Sequence, residues 1–402
     1  MRIVELNMIH YGSTGKIMLQ IADCARSRGH QVRTFSTRCY SKVKTDAPEI
    51  PKGHELYSSK LSNFIHALFG KMRGKNGCYS YIATKNLIRK IKRWKPDVIH
   101  LHNLHSFVIN FPILFKYIKK HNIRTIWTLH DCWTFTGQCA HFDMKGCEKW
   151  KTGCHHCSSI SDYPKVYRDN SKNMYSMKKK WFTGVENMTL VTPSKWLAGL
   201  VKQSFLKEYP VKVINNGIDL SIFKPTNSNF RQKYNLNDKF VILGVAFGWG
   251  EKKGLDVFIE LSKRLDDRFK IVLVGTSEHV DKLLPIEIIS IHSTNNQQEL
   301  AEIYSACDLF VNPTREENFP TVNIEALACG LPVLTFRTGG SPEIVDATCG
   351  MVVEKNDVDA LEREILRIYK EKPYLKVSCI KRAKDFDKNK KFLEYVCLYE
   401  SI

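Results

Sequence analysis

The feature that most constrains the fold is a repeated alternation. Short apolar runs of strand length are each followed by a longer stretch whose apolar residues fall on one helical face. Residues 3–8, 32–35, 97–101 and 125–129 read as strands, with a helix over 17–28 that ends at Gly29. Lys/Arg-rich helices precede the later two strands. The pattern then restarts. Residues 240–245, 270–274, 286–291, 309–312 and 332–336 read as strands, among helices over 255–265, 297–306, 321–328 and, later, 361–369. Strands that are apolar throughout and separated by helices form parallel sheets covered on both faces. At 402 residues the chain has room for two such α/β units. The turn-rich stretch between Pro193 and Pro225 separates them, which predicts units over 1–200 and 201–384. A terminal helix, 385–402, is expected to return to the first unit. Residues 40–60 and 140–180 show no periodicity and are expected to be irregular.

Charge divides the chain the same way. The formal net charge is +20. Residues 1–200 hold 33 lysines and arginines against 12 acids, whereas 201–402 hold 28 against 29. The basic first half therefore suits an anionic partner: nucleic acid, an acidic membrane surface or a phosphorylated substrate. No nucleic-acid-binding motif accompanies the charge, so no nucleic acid partner is expected. Between 61 and 94, basic residues alternate with Phe64, Leu68, Phe69, Ile82, Leu87 and Ile91. That pattern fits a helix on an anionic membrane surface, and equally one whose apolar face is core. No apolar run approaches the roughly 18 residues of a spanning helix. The start lacks the basic-then-apolar pattern of a signal peptide. The expectation is a cytoplasmic protein, peripheral on the inner membrane.

The most informative stretch is 314–333, TREENFPTVNIEALACGLPV. A strand ends, Glu316 and Glu317 follow in a loop, and a helix starts at Pro320 or Thr321. Free N–H groups at a helix start can hold an anion such as a diphosphate. Glu325, eight residues beyond Glu317, lies within reach of ribose hydroxyls. Gly248-Trp-Gly-Glu-Lys-Lys-Gly254 also joins a strand to a helix and places Lys253 before a glycine. Gly12-Ser-Thr-Gly15 turns out of the first strand, where glycines let a phosphate approach the backbone. His130 and Asp131 end one strand, and His100, His102 and His105 crowd the end of another. Asn216-Gly-Ile-Asp219 supplies a turn between the units, and Gly339, Gly340 and Glu343 form a further loop.

Together these stretches resemble the retaining GT-B glycosyltransferases of glycosyltransferase family 4. There, a Glu, seven residues and a second Glu precede a small-residue run ending C-G-x-P-V, matched here by Glu317, Glu325, Cys329, Gly330, Pro332 and Val333. The resemblance spans nearly the whole chain and is most specific in the second half. It implies an α/β GT-B fold, two Rossmann-like domains with parallel sheets facing across a cleft, the first binding acceptor and the second donor. It implies catalytic roles for His130, Glu317 and Lys253. Donor contacts would come from Gly12, Gly15, Gly248, Lys253 and Glu325, and from the backbone of Asn318, Phe319, Pro320, Thr321 and Val322. The donor would be a UDP- or GDP-sugar. The acceptor would be a saccharide, lipid-linked through a polyprenyl diphosphate, in capsule, exopolysaccharide, colanic-acid-like or O-antigen assembly. No cofactor is required for catalysis. Two departures stand out: Asn318 replaces the family's usual Gly, and Phe247, Gly248 and Trp249 occupy the neighbourhood of its usual Arg, for which Lys252 is the nearest substitute. A nucleotide-sugar epimerase on the same fold and a non-catalytic nucleic-acid- or sugar-binding protein remain as alternatives.

Of 13 cysteines, five crowd into 132–157. Cys139, Cys147, Cys154 and Cys157 end in a C-x2-C pair, a thiolate set suited to structural zinc. A reduced cluster packed into a loop is the other reading.

Overall fold

A computed structural model describes residues 1–37 and 49–401. The chain divides into two compact units, Met1–Ile214 with Phe392–Ile402, and Asn215–Lys391. The first contains a seven-stranded sheet: β1 (Arg2–Leu6), β2 (Gln31–Ser36), β3 (His54–Leu56), β4 (Val98–Leu101), β5 (Arg124–Thr128), β6 (Met188–Thr192) and β7 (Val211–Val213), in the order β3-β2-β1-β4-β5-β6-β7. The second contains six strands: β8 (Phe240–Val245), β9 (Phe269–Val274), β10 (Ile289–Ile291), β11 (Leu309–Asn312), β12 (Val333–Phe336) and β13 (Gly350–Val353), in the order β10-β9-β8-β11-β12-β13. All strand pairs are parallel.

Successive strand residues point to opposite faces, and each face has its own core. In the first unit Val4, Leu6, Ile99, Leu101 and Trp127 pack with Phe111, Phe115 and Phe182. Their alternates Ile3, Val98 and Ile126 pack with Ile17 and Ile21 and with Phe392, Tyr395, Val396 and Tyr399 of the last helix. In the second unit the two faces are lined by Leu243 and Phe310 on one side and Ile242, Leu309 and Val311 on the other.

Three expectations are corrected. The boundary lies at 214/215 rather than 200/201, because β6 and β7 pair with each other and extend the first sheet. The last helix, Lys388–Glu400, starts in the second unit and joins the first only from Phe392. Its start is tied to the second unit by Lys388 on Asp219, 2.5 Å apart, and by Ile218 N–H donating to the Phe386 carbonyl. The segment expected to be irregular over 140–180 forms a helix from Ser171 to Phe182, and β3 lies within 40–60. The rest of that second segment, 40–48, lies outside the described residues. No helix among the described residues is long and apolar enough to cross a membrane.

In each sheet the strand order reverses beside the unit's first strand, between β1 and β4 and between β8 and β11. Loops leaving such neighbours diverge to opposite faces and open a crevice at the strands' carboxyl ends. The candidate residues gather at these two places.

Candidate functional site

In the second unit, three consecutive residues after β11 are bonded to the loop and helix after β8. Arg315 grips Asp256 through two nitrogens, each at 2.7 Å. Glu316 meets Lys252 at 2.9 Å, and Glu317 meets Lys253 at 2.7 Å. Arg315 is buried and also donates to the Glu251 carbonyl and to Asn356 Oδ1, both at 2.6 Å. Burial opposes ionisation of Asp256, but the Arg315 fork outweighs it and holds the carboxyl below its ordinary value. This ladder was not foreseen from the sequence. Its signal was the complementary order of charges in Glu251-Lys252-Lys253 and Arg315-Glu316-Glu317. Lys252, the expected stand-in for the family's Arg, is bonded to Glu316, and Phe247 is fully exposed at 100%.

Glu317 also receives the amide N–H of Asn318 at 3.0 Å. Behind it, Gly340 N–H donates to the Asn318 carbonyl at 2.8 Å. Gly339 has φ +52°, and a Cβ there would stand 1.9 Å from the Glu317 carbonyl oxygen. Only glycine permits that approach. Phe319 and Pro320 are buried, and Asn216 reaches the Phe319 carbonyl at 3.3 Å. The helix Thr321–Ala328 follows, with no side chain capping its start. Thr321 and Val322 are partly exposed in its first turn. Within this helix Glu325 accepts a hydrogen bond from the buried Tyr304 hydroxyl at 3.3 Å. Gly248, with φ +76°, borders open space. The structure thus pairs Lys253 with Glu317 and sets Asn318 to Val322 and Glu325 on the loop and helix that follow.

In the first unit Gly12 and Gly15 open the helix Gly12–Ser27. Buried Asn7 holds this turn, donating to the Ile9 carbonyl at 2.8 Å and the Thr14 hydroxyl at 3.1 Å, while its oxygen receives Asn103 N–H. His130 is partly exposed at the end of β5, and its Nε2 lies 3.3 Å from His102 Nδ1. His105 Nε2 lies 2.7 Å from Asp131. Burial alone would raise the Asp131 carboxyl, yet His105 and the Trp133 amide together pull it well below the ordinary carboxylate value. Gly12, Gly15 and His130 belong to the first unit, and the other candidate donor residues to the second.

The neighbouring Cys139 draws the Cys157 thiol down to about 7, while the Cys139 thiol is pushed up by Cys157 and by burial. Cys154 accepts the Gly137 amide N–H at 3.1 Å. Among the described residues, Glu5, His100 and His102 place three candidate metal-ligand atoms within 4.8 Å of one another. Cys139, Cys147, Cys154 and Cys157 form no such group among the described residues.

Two family profiles match the chain. That described as Glycosyltransferase Family 4 covers residues 14–222, and that described as Glycosyl transferases group 1 covers 226–391. A glycosyl transferase of Escherichia coli (strain K12) named for colanic acid biosynthesis is 25% identical over 65% of this chain and 65% of its own length. The N,N'-diacetylbacillosaminyl-diphospho-undecaprenol alpha-1,3-N-acetylgalactosaminyltransferase of Campylobacter jejuni is 28% identical over 49% of this chain and 56% of its own. The chain therefore spans just under two thirds and just over half of these relatives. The crystal structure of Anabaena Alr3699/HepE with UDP, also solved with UDP-glucose, shares the fold with TM-score 0.70 at 15% identity, over 100% of both chains. With two parallel α/β sheets and a profile covering more than half its residues, the chain belongs to glycosyltransferase family 4.

Proposed function

We propose that this chain transfers a hexose, with retention, from a UDP- or GDP-sugar to a saccharide acceptor in cell-surface polysaccharide assembly. The observation that carries the reading is the Lys253–Glu317 pair beside the uncapped start of the helix Thr321–Ala328. As the bond from sugar to diphosphate breaks, negative charge gathers on the leaving oxygen. An ammonium and fixed backbone N–H groups aimed at that oxygen stabilise it. Lys253 and the amides of Thr321 and Val322 supply them. Glu317 holds sugar hydroxyls and Glu325 the ribose. His130 hydrogen-bonds the transferring sugar, and the turn at Gly12 and Gly15 takes part in phosphate binding. The UDP and UDP-glucose complexes of the Anabaena protein support a nucleotide-sugar donor.

The acceptor is carried on a polyprenyl diphosphate at a membrane. The name of the Campylobacter jejuni relative supports this, as does the helix Lys60–Arg73, which is inside out. Asn63 and His66 face the core, while Leu61, Phe64, Ile65, Leu68, Phe69 and Met72 are exposed. Exposed Lys60 and Arg73 lie at the two ends of this helix, and exposed Lys85 and Arg89 on the next, Tyr81–Trp94. Apolar residues beside cations suit the boundary of an anionic bilayer.

The test is a panel of UDP-, GDP- and ADP-sugars read by thermal shift, followed by transfer to a lipid-linked saccharide. A donor that binds the folded state must raise the melting temperature by mass action. One sugar nucleotide is expected to do so and to be consumed only with acceptor present. If no member of the panel stabilises the protein, the donor reading fails.

A further inference from the structure

Beneath His130 the first unit buries a chain of polar groups. Glu5 stands opposite His100 in the β1/β4 register, and both are fully buried, as is His102 to within 1%. The Tyr399 hydroxyl donates to Glu5 Oε1 at 3.2 Å. His100 Nδ1 lies 2.6 Å from the Tyr399 oxygen, and His100 Nε2 lies 2.8 Å from the Thr128 hydroxyl. Both nitrogens of His100 are thereby committed. Two buried atoms are left without a hydrogen bond, Glu5 Oε2 and His102 Nε2, and they face each other at 3.4 Å. The other nitrogen of His102 approaches His130, the two rings lying within 17° of parallel.

We propose that Glu5, as a neutral carboxylic acid, and His102 form a buried positioning relay that sets the tautomer of His130. This rests on His130 acting on the sugar, as argued above. Glu5 Oε2–H donates to His102 Nε2, and His102 Nδ1–H donates to His130 Nε2. His130 then carries its own proton on Nδ1 and acts as a donor there. A single proton satisfies both orphaned atoms, and every bond in the chain polarises the next in the same sense. An ionised pair would instead require two desolvated charges. Burial raises the Glu5 carboxyl well above its ordinary value, and the Tyr399 bond only partly offsets this. Burial also lowers His102 and His130 to about 3. The titratable groups facing the relay are Asp23 and Arg26 from the helix Gly12–Ser27, Tyr395 and Tyr399 from the last helix, His100 from β4, and His105 and Asp131 beside His130. A metal held by Glu5, His100 and His102 is the competing use of these atoms, and it would have to break a bond of His100 to Tyr399 or Thr128.

The test compares Glu5→Leu with Glu5→Gln, whose carboxamide offers an N–H to His102 in place of the acid's O–H and an oxygen to Tyr399 as before. Glu5→Leu is expected to lower kcat by about tenfold or more with little change in donor KM. Glu5→Gln is expected to recover most of that loss and the wild-type pH profile. Imidazole 15N shifts, measured on the wild type and on Glu5→Gln, are expected to show His130 neutral with its proton on Nδ1 from pH 6 to 8. The proposal is overturned if Glu5→Gln is as impaired as Glu5→Leu, if His130 is cationic or protonated on Nε2, or if the purified protein holds a stoichiometric metal that Glu5→Leu loses. A wild-type protein with no transferase activity would sink the proposed function, and the 15N shifts would still decide the relay.

Discussion

Lys253 Nζ and Glu317 Oε2 stand 2.7 Å apart, each side chain about a quarter to a third exposed. The cation assigned to the diphosphate is therefore bonded, before donor arrives, to the acid assigned to the sugar. Binding must trade one anionic partner for another. Lys253→Ala is expected to weaken UDP or GDP binding and to lower kcat by about a hundredfold or more. Glu317→Gln removes the competing anion, so it should bind the free nucleotide at least as tightly as the wild type while losing transfer. Calorimetry with the nucleotide alone separates the two. Unchanged nucleotide affinity in Lys253→Ala would remove Lys253 from the site.

Gly339→Ala should act on the same loop from behind. A Cβ 1.9 Å from the Glu317 carbonyl, at a φ of +52°, forces the backbone to move. The expected loss is about 2–4 kcal/mol in chemical denaturation, from left-handed strain and overpacking together. Donor affinity should fall with it, because Glu317 and Asn318 are what the loop supports. An alanine variant of wild-type stability would contradict the packing described.

Tyr304→Phe tests Glu325 from within the core. Removing a buried hydroxyl that donates to this carboxylate should cost about 0.5–1.5 kcal/mol. It should raise donor KM a few-fold and leave kcat nearly unchanged, since Glu325 is assigned to the ribose. A loss confined to kcat would move Glu325 to the reacting end.

Stability should fall as pH drops. Burial holds His66 and His102 at about 3, and His54 at about 4, below the ordinary 6.5. Below about pH 6.5 the unfolded chain takes up protons that the folded chain refuses. Each such histidine then costs about 1.4 kcal/mol per pH unit. Glu5 has the opposite sign: with its folded value raised, its contribution declines as pH rises above the ordinary carboxylate range. The histidines outnumber it, so the denaturation midpoint should decrease from pH 6.5 to 4.5. His66→Gln should make that slope shallower by one proton. A midpoint that rises on acidification would contradict the buried neutral imidazoles.

Phe64→Ser with Leu68→Ser should abolish flotation with phosphatidylglycerol vesicles without lowering the melting temperature, because both side chains are more than 40% exposed. The wild type should float with these vesicles and not with phosphatidylcholine. Equal binding to both, or none, would remove the membrane from the reading.

Much of the fold was legible because long buried strands write themselves as apolar runs. β8, β9 and β11 lie close to where the alternation puts them. β3, β6, β7 and β13 went unseen; each lies at or next to a sheet edge and is at most five residues long, so its pairing comes from neighbours rather than from its own pattern. The missed β7 is also why the boundary was set too early. In the candidate site, the spacing of Glu317 and Glu325 and the glycine after Lys253 were readable. The ladder of Arg315, Glu316 and Glu317 on Asp256, Lys252 and Lys253 was not, because its partners lie about 60 residues apart.

The sequence by itself determined the class of fold, the two-unit plan and the loops that hold the candidate site. Local periodicity, glycines and charged residues act over a few positions and can be read in order along the chain. Tertiary structure decided which face of the helix Lys60–Arg73 is core, which lysine pairs with which glutamate, and that Glu5 stands behind His102 and His130. Those outcomes depend on what strands β1, β4 and β8 meet across the sheet and on which groups lose their water when they do. Neither is a property of any stretch of sequence taken alone.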